Sequence, residues 1–222
     1  TTIAGGGISA PYTFKGGTFP GTGGTCTATL NASSTCTMVV SFSPTVGGTQ
    51  TGTISLAYND GVSGQNATHA LTGTAVTPAN IAISDGATYN FGTIPTTSSA
   101  DKVFTLTNSG NITATSMTGA GLSAPYTFKG GTYPGTGGTC AGSLASSGTC
   151  TVVVTFNPVA NGSTSSQIDI NYFDGAANQT SSRPVQGTGA PPASLSISDG
   201  PTYNYGNVAN GSINDHTYTV TN

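Results

Sequence analysis

Apolar side chains recur at every second position through much of this chain, which is the period of a strand with one buried face. Residues 102–107 alternate around Phe104 and Leu106, with Val103 the one doubled position. Residues 150–156 carry the densest β-branched run, Val152-Val153-Val154, of the kind that fits a pleated, half-buried surface. Residues 168–172 and 80–84 alternate in the same way. Turn residues separate these runs: Asn108-Ser109-Gly110, Lys129-Gly130-Gly131, Asn161-Gly162 and Asp174-Gly175. No stretch carries a helical stripe. The pattern predicts an all-β protein with about seven to nine short strands per ~114 residues, as in an immunoglobulin-like β-sandwich.

The pattern also repeats. Residues 10–26 recur as residues 124–140 with a single change, Phe19 becoming Tyr133. The same offset of 114 carries Cys36 onto Cys150, Phe42 onto Phe156, Asp60-Gly61 onto Asp174-Gly175, and Ser84-Asp85-Gly86 onto Ser198-Asp199-Gly200. A unit of this length is a whole domain rather than one turn of a solenoid. Pro78 and Pro191-Pro192 lie in short linker-like stretches. The expected organisation is residues 1–77 as a repeat without its N-terminal strands, 78–190 as a complete repeat, and 191–222 as the N-terminal strands of a further one. On that reading the chain is a window on a longer polymer. The alternative is strand complementation, in which residues 191–222 complete the first domain of the next molecule.

Composition changes the picture by exclusion. The 222 residues hold 4 basic and 7 acidic side chains, every acid an Asp, for a net charge of -3. Four scattered cations cannot supply the clustered Lys and Arg of a nucleic-acid surface. Charged residues make up only 5%, so a disordered polyelectrolyte is excluded as well. No apolar run approaches the ~18 residues of a membrane span. The first residues carry no signal core, and an export signal or anchor is expected outside this stretch.

The four cysteines form two local pairs at equal spacing, Cys26 with Cys36 and Cys140 with Cys150. One disulfide within each unit is the simplest connectivity, and it points to an oxidising, extracellular or cell-surface location. A metal or redox site would need CxxC spacing or nearby His, which these pairs lack.

Three stretches resemble a known family. Phe91-Gly92-Thr93-Ile94, then Val103-Phe104-Thr105-Leu106-Thr107-Asn108-Ser109-Gly110, then Cys150-Thr151-Val152-Val153-Val154-Thr155-Phe156-Asn157-Pro158 resemble the repeat units of bacterial choice-of-anchor D proteins. Those are related to the abnormal-spindle/hydin immunoglobulin-like domains. The resemblance implies a large exported, surface-attached repeat protein and brings no catalytic residue.

Candidate chemistry is sparse. His69 and His216 fall at repeat positions held by Arg183 and Lys102 in the other copy, and read as solvated surface. Asp60, Asp174, Asp85 and Asp199 all precede Gly and read as turn caps. The Gly-rich stretch 134–139 lacks the Lys-Ser/Thr ending of a phosphate loop, and reads as a protruding crosslinked loop. Lys15 and Lys129 lie beside Gly-Gly, without the buried acidic partner an isopeptide bond needs. Six Asn-x-Ser/Thr sequons occur, at Asn31, Asn66, Asn111, Asn161, Asn178 and Asn210, a number that a Thr- and Ser-rich chain reaches by chance.

The aromatics just before the Gly-rich loop, Tyr12, Phe14 and Phe19 with their counterparts Tyr126, Phe128 and Tyr133, are the candidate interface. The expected function is structural: a disulfide-stapled repeat segment of an extracellular filament or surface fibre, whose partners are neighbouring copies of the same repeat. The second reading is an adhesin or carbohydrate-binding module that contacts host or matrix glycans through those aromatics. No enzyme activity, metal or cofactor is expected.

Overall fold

The computed structural model describes residues 1–222, and every regular element is a strand. The chain divides into two compact units, Thr1–Pro78 and Ala79–Asn222. No helix is long and apolar enough to cross a membrane.

Unit 1 contains β1 (Ile3–Gly6), β2 (Tyr12–Phe14), β3 (Val40–Phe42), β4 (Gly48–Asn59) and β5 (Gly64–Ala75). One sheet has the order β1-β4-β5, and β2 pairs with β3 in a second.

Unit 2 opens with β6 (Ile81–Ile83), β7 (Tyr89–Pro95), β8 (Ala100–Asn108) and β9 (Ala114–Ala120). It continues through β10 (Tyr126–Phe128), β11 (Ser143–Leu144), β12 (Thr149–Phe156), β13 (Gly162–Phe173) and β14 (Asn178–Ala190). Sheets of order β10-β12-β8-β6 and β11-β9-β13-β14-β7 face one another, a sandwich of the immunoglobulin-like class. All its pairings are antiparallel except β14 with β7. The unit ends with β15 (Ser196–Ile197) and β16 (Val220–Thr221), a small separate pair.

The core lies between the two large sheets. Phe104 and Leu106 on β8, Val152, Val154 and Phe156 on β12, and Ile168 and Ile170 on β13 are fully buried. Period two is why: alternate residues of each strand point inward, while Val103 between its neighbours stays exposed. Each such side chain stabilises the fold by about 1.5–3 kcal/mol relative to exposure. One polar side chain is fully buried with them, Asn108. Its Nδ2 donates to the carbonyls of Ile112 at 2.8 Å, Leu144 at 3.1 Å and Ala145 at 3.2 Å. Its Oδ1 accepts from Asn80 N at 3.1 Å and Gly110 N at 3.0 Å, so the buried amide is satisfied on both sides.

The two units follow one plan as far as unit 1 goes. Tyr12↔Phe42 in the β2–β3 pair has the register of Tyr126↔Phe156 in β10–β12. Ala4↔Ala57 in β1–β4 has the register of Thr118↔Asn171 in β9–β13.

Candidate functional site

Of the six aromatics of the candidate interface, Tyr12, Phe14, Tyr126 and Phe128 are interior, and Phe19 and Tyr133 are half-buried. Tyr126 and Phe128 alternate around an outward Thr127 and are buried in the core, as are Tyr12 and Phe14 in unit 1. Tyr126 stacks on Phe156 at 4.7 Å between centroids, and Tyr12 on Phe42 at 4.9 Å. The Tyr126 hydroxyl donates to Thr164 O at 2.9 Å, while burial of the side chain raises its pKa. Tyr133 and Phe19 are half-buried, packed edge-on against Phe128 and Phe14. The strand period turns Tyr12, Phe14, Tyr126 and Phe128 inward, away from any sugar-stacking face.

The Gly-rich loop does not protrude either. It folds back along the edge of β12: Lys129 N donates to Val153 O at 2.9 Å, Val153 N to Pro134 O at 2.8 Å, and Thr139 N to Thr151 O at 2.9 Å. Glycine is required at position 135, where φ is +89° and a Cβ would overlap the Val153 carbonyl oxygen. The Cys140–Cys150 disulfide closes this loop onto β12, with Cα atoms 4.9 Å apart. Unit 1 builds the same device with Cys26–Cys36, at 4.8 Å. Both disulfides suit an oxidising, extracellular setting.

Two of the Asp-Gly pairs behave as turn caps and two do not. Asp174 Oδ1 accepts from Ala176 N and Ala177 N at 2.7 Å each, and Asp60 Oδ1 accepts from Val62 N and Ser63 N at 2.8 Å each. These backbone donors hold both carboxyls below the usual range. Asp85 and Asp199 instead take the left-handed conformation themselves, with φ of 73° and 68°. Lys102 Nζ pairs with Asp85 at 2.8 Å, and His216 Nε2 with Asp199 at 2.7 Å. Each of these two nitrogen bases also meets the same aromatic position. Lys102 sits over the Tyr89 ring at 4.8 Å, and His216 stacks on Tyr203 at 3.7 Å. Lys102 and His216 are therefore not free surface residues: the repeat keeps a cluster of an Asp, a Lys or His, and a Tyr. The equal spacing of the Asp and its Lys or His partner, 17 residues in both copies, was the signal available in the sequence.

No three His, Cys, Asp or Glu side chains come together in a way that could hold a metal. An apolar depression of about 430 Å³ in unit 2 is lined by Pro125, Thr127, Thr155, Pro158 and Val159 among others. It contains no charged side chain.

In the segment after Pro192, Leu195 is 70% exposed and Ile197 63%, where their repeat counterparts Ile81 and Ile83 are 3% and 5% exposed. Tyr218 at 42% and Val220 at 60% correspond to Phe104 and Leu106, both at 0%. In unit 1, Met38, Val40 and Phe42 are half-buried, whereas their counterparts Val152, Val154 and Phe156 are fully buried.

Residues 83–188 match the family model described as HYDIN/CFA65/VesB-like, Ig-like domain. No curated protein matches the chain by sequence. Among solved structures, the ASH/PapD-like domain of human CEP192 (PapD-like domain 7) aligns at 19% identity and a TM-score of 0.40, covering 52% of this chain and 89% of that one. The Vibrio cholerae VesB protease aligns at 15% identity and 0.40, covering 49% of this chain and 31% of the protease. A protein of unknown function from Porphyromonas gingivalis W83 aligns at 10% identity and 0.40, covering 84% of each chain. The span that matches the family runs from β6 through β14, so the sandwich of unit 2 is similar to the HYDIN/CFA65/VesB-like Ig-like domains.

Proposed function

We propose that this chain is a structural repeat segment of an extracellular fibre, in which disulfide-stapled Ig-like domains follow one another in series and bind neighbouring copies of the same repeat. The observation that carries the reading is the crosslinked Gly-rich loop. It is built twice, 114 residues apart, with matching hydrogen bonds such as Lys15 N to Val39 O and Lys129 N to Val153 O, both 2.9 Å. A series of such units presents the same surface at every step, and identical heterologous contacts then propagate without closing. The likeness of the sequence to choice-of-anchor D repeats and the two disulfides support an exported, surface-attached setting. The role is mechanical: no catalytic function, cofactor or nucleic-acid partner is assigned to it. The adhesin reading drew on exposed aromatics, and the interior placement of Tyr126 and Phe128 takes away that support.

Negative-stain electron microscopy of the purified chain at high concentration tests this reading. Unbranched beaded fibres are the expected result. Particles that stay single at every concentration contradict it.

A further inference from the structure

The geometry points to Val62 of one copy seating in the apolar depression of unit 2 of a second copy, an inference that deepens the fibre reading and rests on it. Val62 is 93% exposed, more than any other large hydrophobic side chain of the protein. It stands at the tip of the β4–β5 hairpin, on a turn whose backbone is fixed from within. Gly61 has a φ of 101° and donates its N–H to Asn59 Oδ1 at 2.8 Å, while Asp60 Oδ1 holds the N–H groups of Val62 and Ser63. Gln65 Nε2 donates to the other Asp60 oxygen at 3.2 Å. A side chain carried on such an ordered base loses little conformational freedom on docking. The counterpart turn of unit 2 carries Ala176, which is exposed too, so the position stays open where both sheets of the sandwich are formed.

The receiving depression has walls from Pro125, Pro158 and Val159 and no charged side chain, and its volume of about 430 Å³ takes a valine side chain with room for the turn behind it. Val159 is itself 83% exposed, so the rim is apolar as well. Unit 1 closes the same place. There Gln50 stands for Thr164, and its Nε2 donates at 3.4 Å to the carbonyl of Val46, the counterpart of Ala160. Thr164 and Ala160 both line the depression in unit 2, where the shorter Thr164 turns its Oγ1 to the Tyr126 hydroxyl at 3.2 Å. The amide thus bridges in unit 1 what is open in unit 2, and Thr45 replaces the apolar Val159. The larger knob belongs to unit 1 and the open hole to unit 2, which makes the contact one between unlike units of two copies. Docking buries no unpaired charge, because Asp60 is held by its own turn. Each copy offers one knob and one hole, and a heterologous contact of this kind extends without closing. A single side chain in a hole buries far less than the ~1,200–2,000 Å² of a stable interface, so the junction is weak and forms as concentration rises.

Complementary variants test the junction, with molar mass read by light scattering across concentration. Val62→Asp spoils the knob and Val159→Asp spoils the hole; both replace exposed side chains, so each variant melts at the parental temperature. Either variant alone is expected to self-associate at least about tenfold more weakly than the parent, since docking would bury an unpaired carboxylate. Val62→Ala, the residue that unit 2 carries at this turn, weakens association in the same direction. An equimolar mixture of the two Asp variants is expected to reach the mass of a dimer and no more, because one intact knob and one intact hole remain per pair. Val62→Asp chains that associate as the parent does, or a mixture that gains no dimer or grows past it, overturn the proposal. Beaded fibres formed by Val62→Asp keep the fibre reading and reject this junction. A parent chain that stays single at every concentration rejects both.

Discussion

Asn108 and Asn222 stand at the same point of the repeat, and each accepts a hydrogen bond from the backbone N–H found 28 residues upstream, at 3.1 Å. Around Asn108 the bond is one of five and the side chain is fully buried. Asn222 is exposed and keeps this one bond. An unsatisfied buried partner costs about 1–3 kcal/mol, so Asn108→Ala should destabilise unit 2 by at least about 2 kcal/mol. Asn222→Ala should change the melting of the dispersed chain by less than about 0.5 kcal/mol. Denaturant melts of the two variants check the contrast.

The same asymmetry applies to the aromatic core. Phe156→Ala removes a fully buried ring stacked on Tyr126, and should cost about 3–5 kcal/mol. Phe42→Ala removes the equivalent, half-buried ring of unit 1 and should cost less than half as much.

Reduction of the disulfides tests the crosslinked loop. Cys140 and Cys150 are 10 residues apart, and closing such a loop stabilises by about 2.8 kcal/mol in the chain-entropy model. The Cys140→Ser, Cys150→Ser double variant should lose about that much in calorimetric or denaturant unfolding of unit 2. Its fold should persist, because the loop also holds β12 through backbone hydrogen bonds.

Acid should weaken the fold from one side only. Asp174 is held below the usual value of 3.8 by the N–H groups of Ala177 and Ala176, and Asp85 by Lys102 and then Ser84. A carboxyl whose folded pKa is depressed contributes stability above its unfolded pKa and loses it as pH falls through the folded value. Melting temperature should therefore be flat with respect to these groups between pH 7 and 5, and fall below about pH 4. Asp174→Asn keeps an acceptor oxygen but does not ionise. It should soften the acid limb and lower stability at pH 7.

Salt should matter little to association. Charged residues make up only 5% of the chain, and exposed ion pairs contribute about 0–1 kcal/mol each. Self-association should change by less than about fivefold between low and high ionic strength, by sedimentation. Disassembly by salt alone would contradict association between nearly uncharged surfaces.

Much of the fold was legible wherever the strand period was unbroken. Phe104 and Leu106, with Val152, Val154 and Phe156, alternate inward as the sequence pattern requires. The parallel β14–β7 pair was not legible, because Tyr89 meets Val185 only once the second sheet exists to offer a free edge. Tyr126 and Phe128 had the right period for burial, but their place beside a Gly-rich loop left both packing and a contact surface open. The Lys102–Asp85 pair was hidden because its counterpart substitutes His216 for the Lys. That the two pairs occupy one place in the repeat appears only in three dimensions.

Sedimentation velocity of the unmodified chain across concentration tests the central claim most directly. A fibre-forming repeat predicts a weight-average sedimentation coefficient that rises continuously with concentration. A single species of unchanged sedimentation coefficient at every concentration would contradict it.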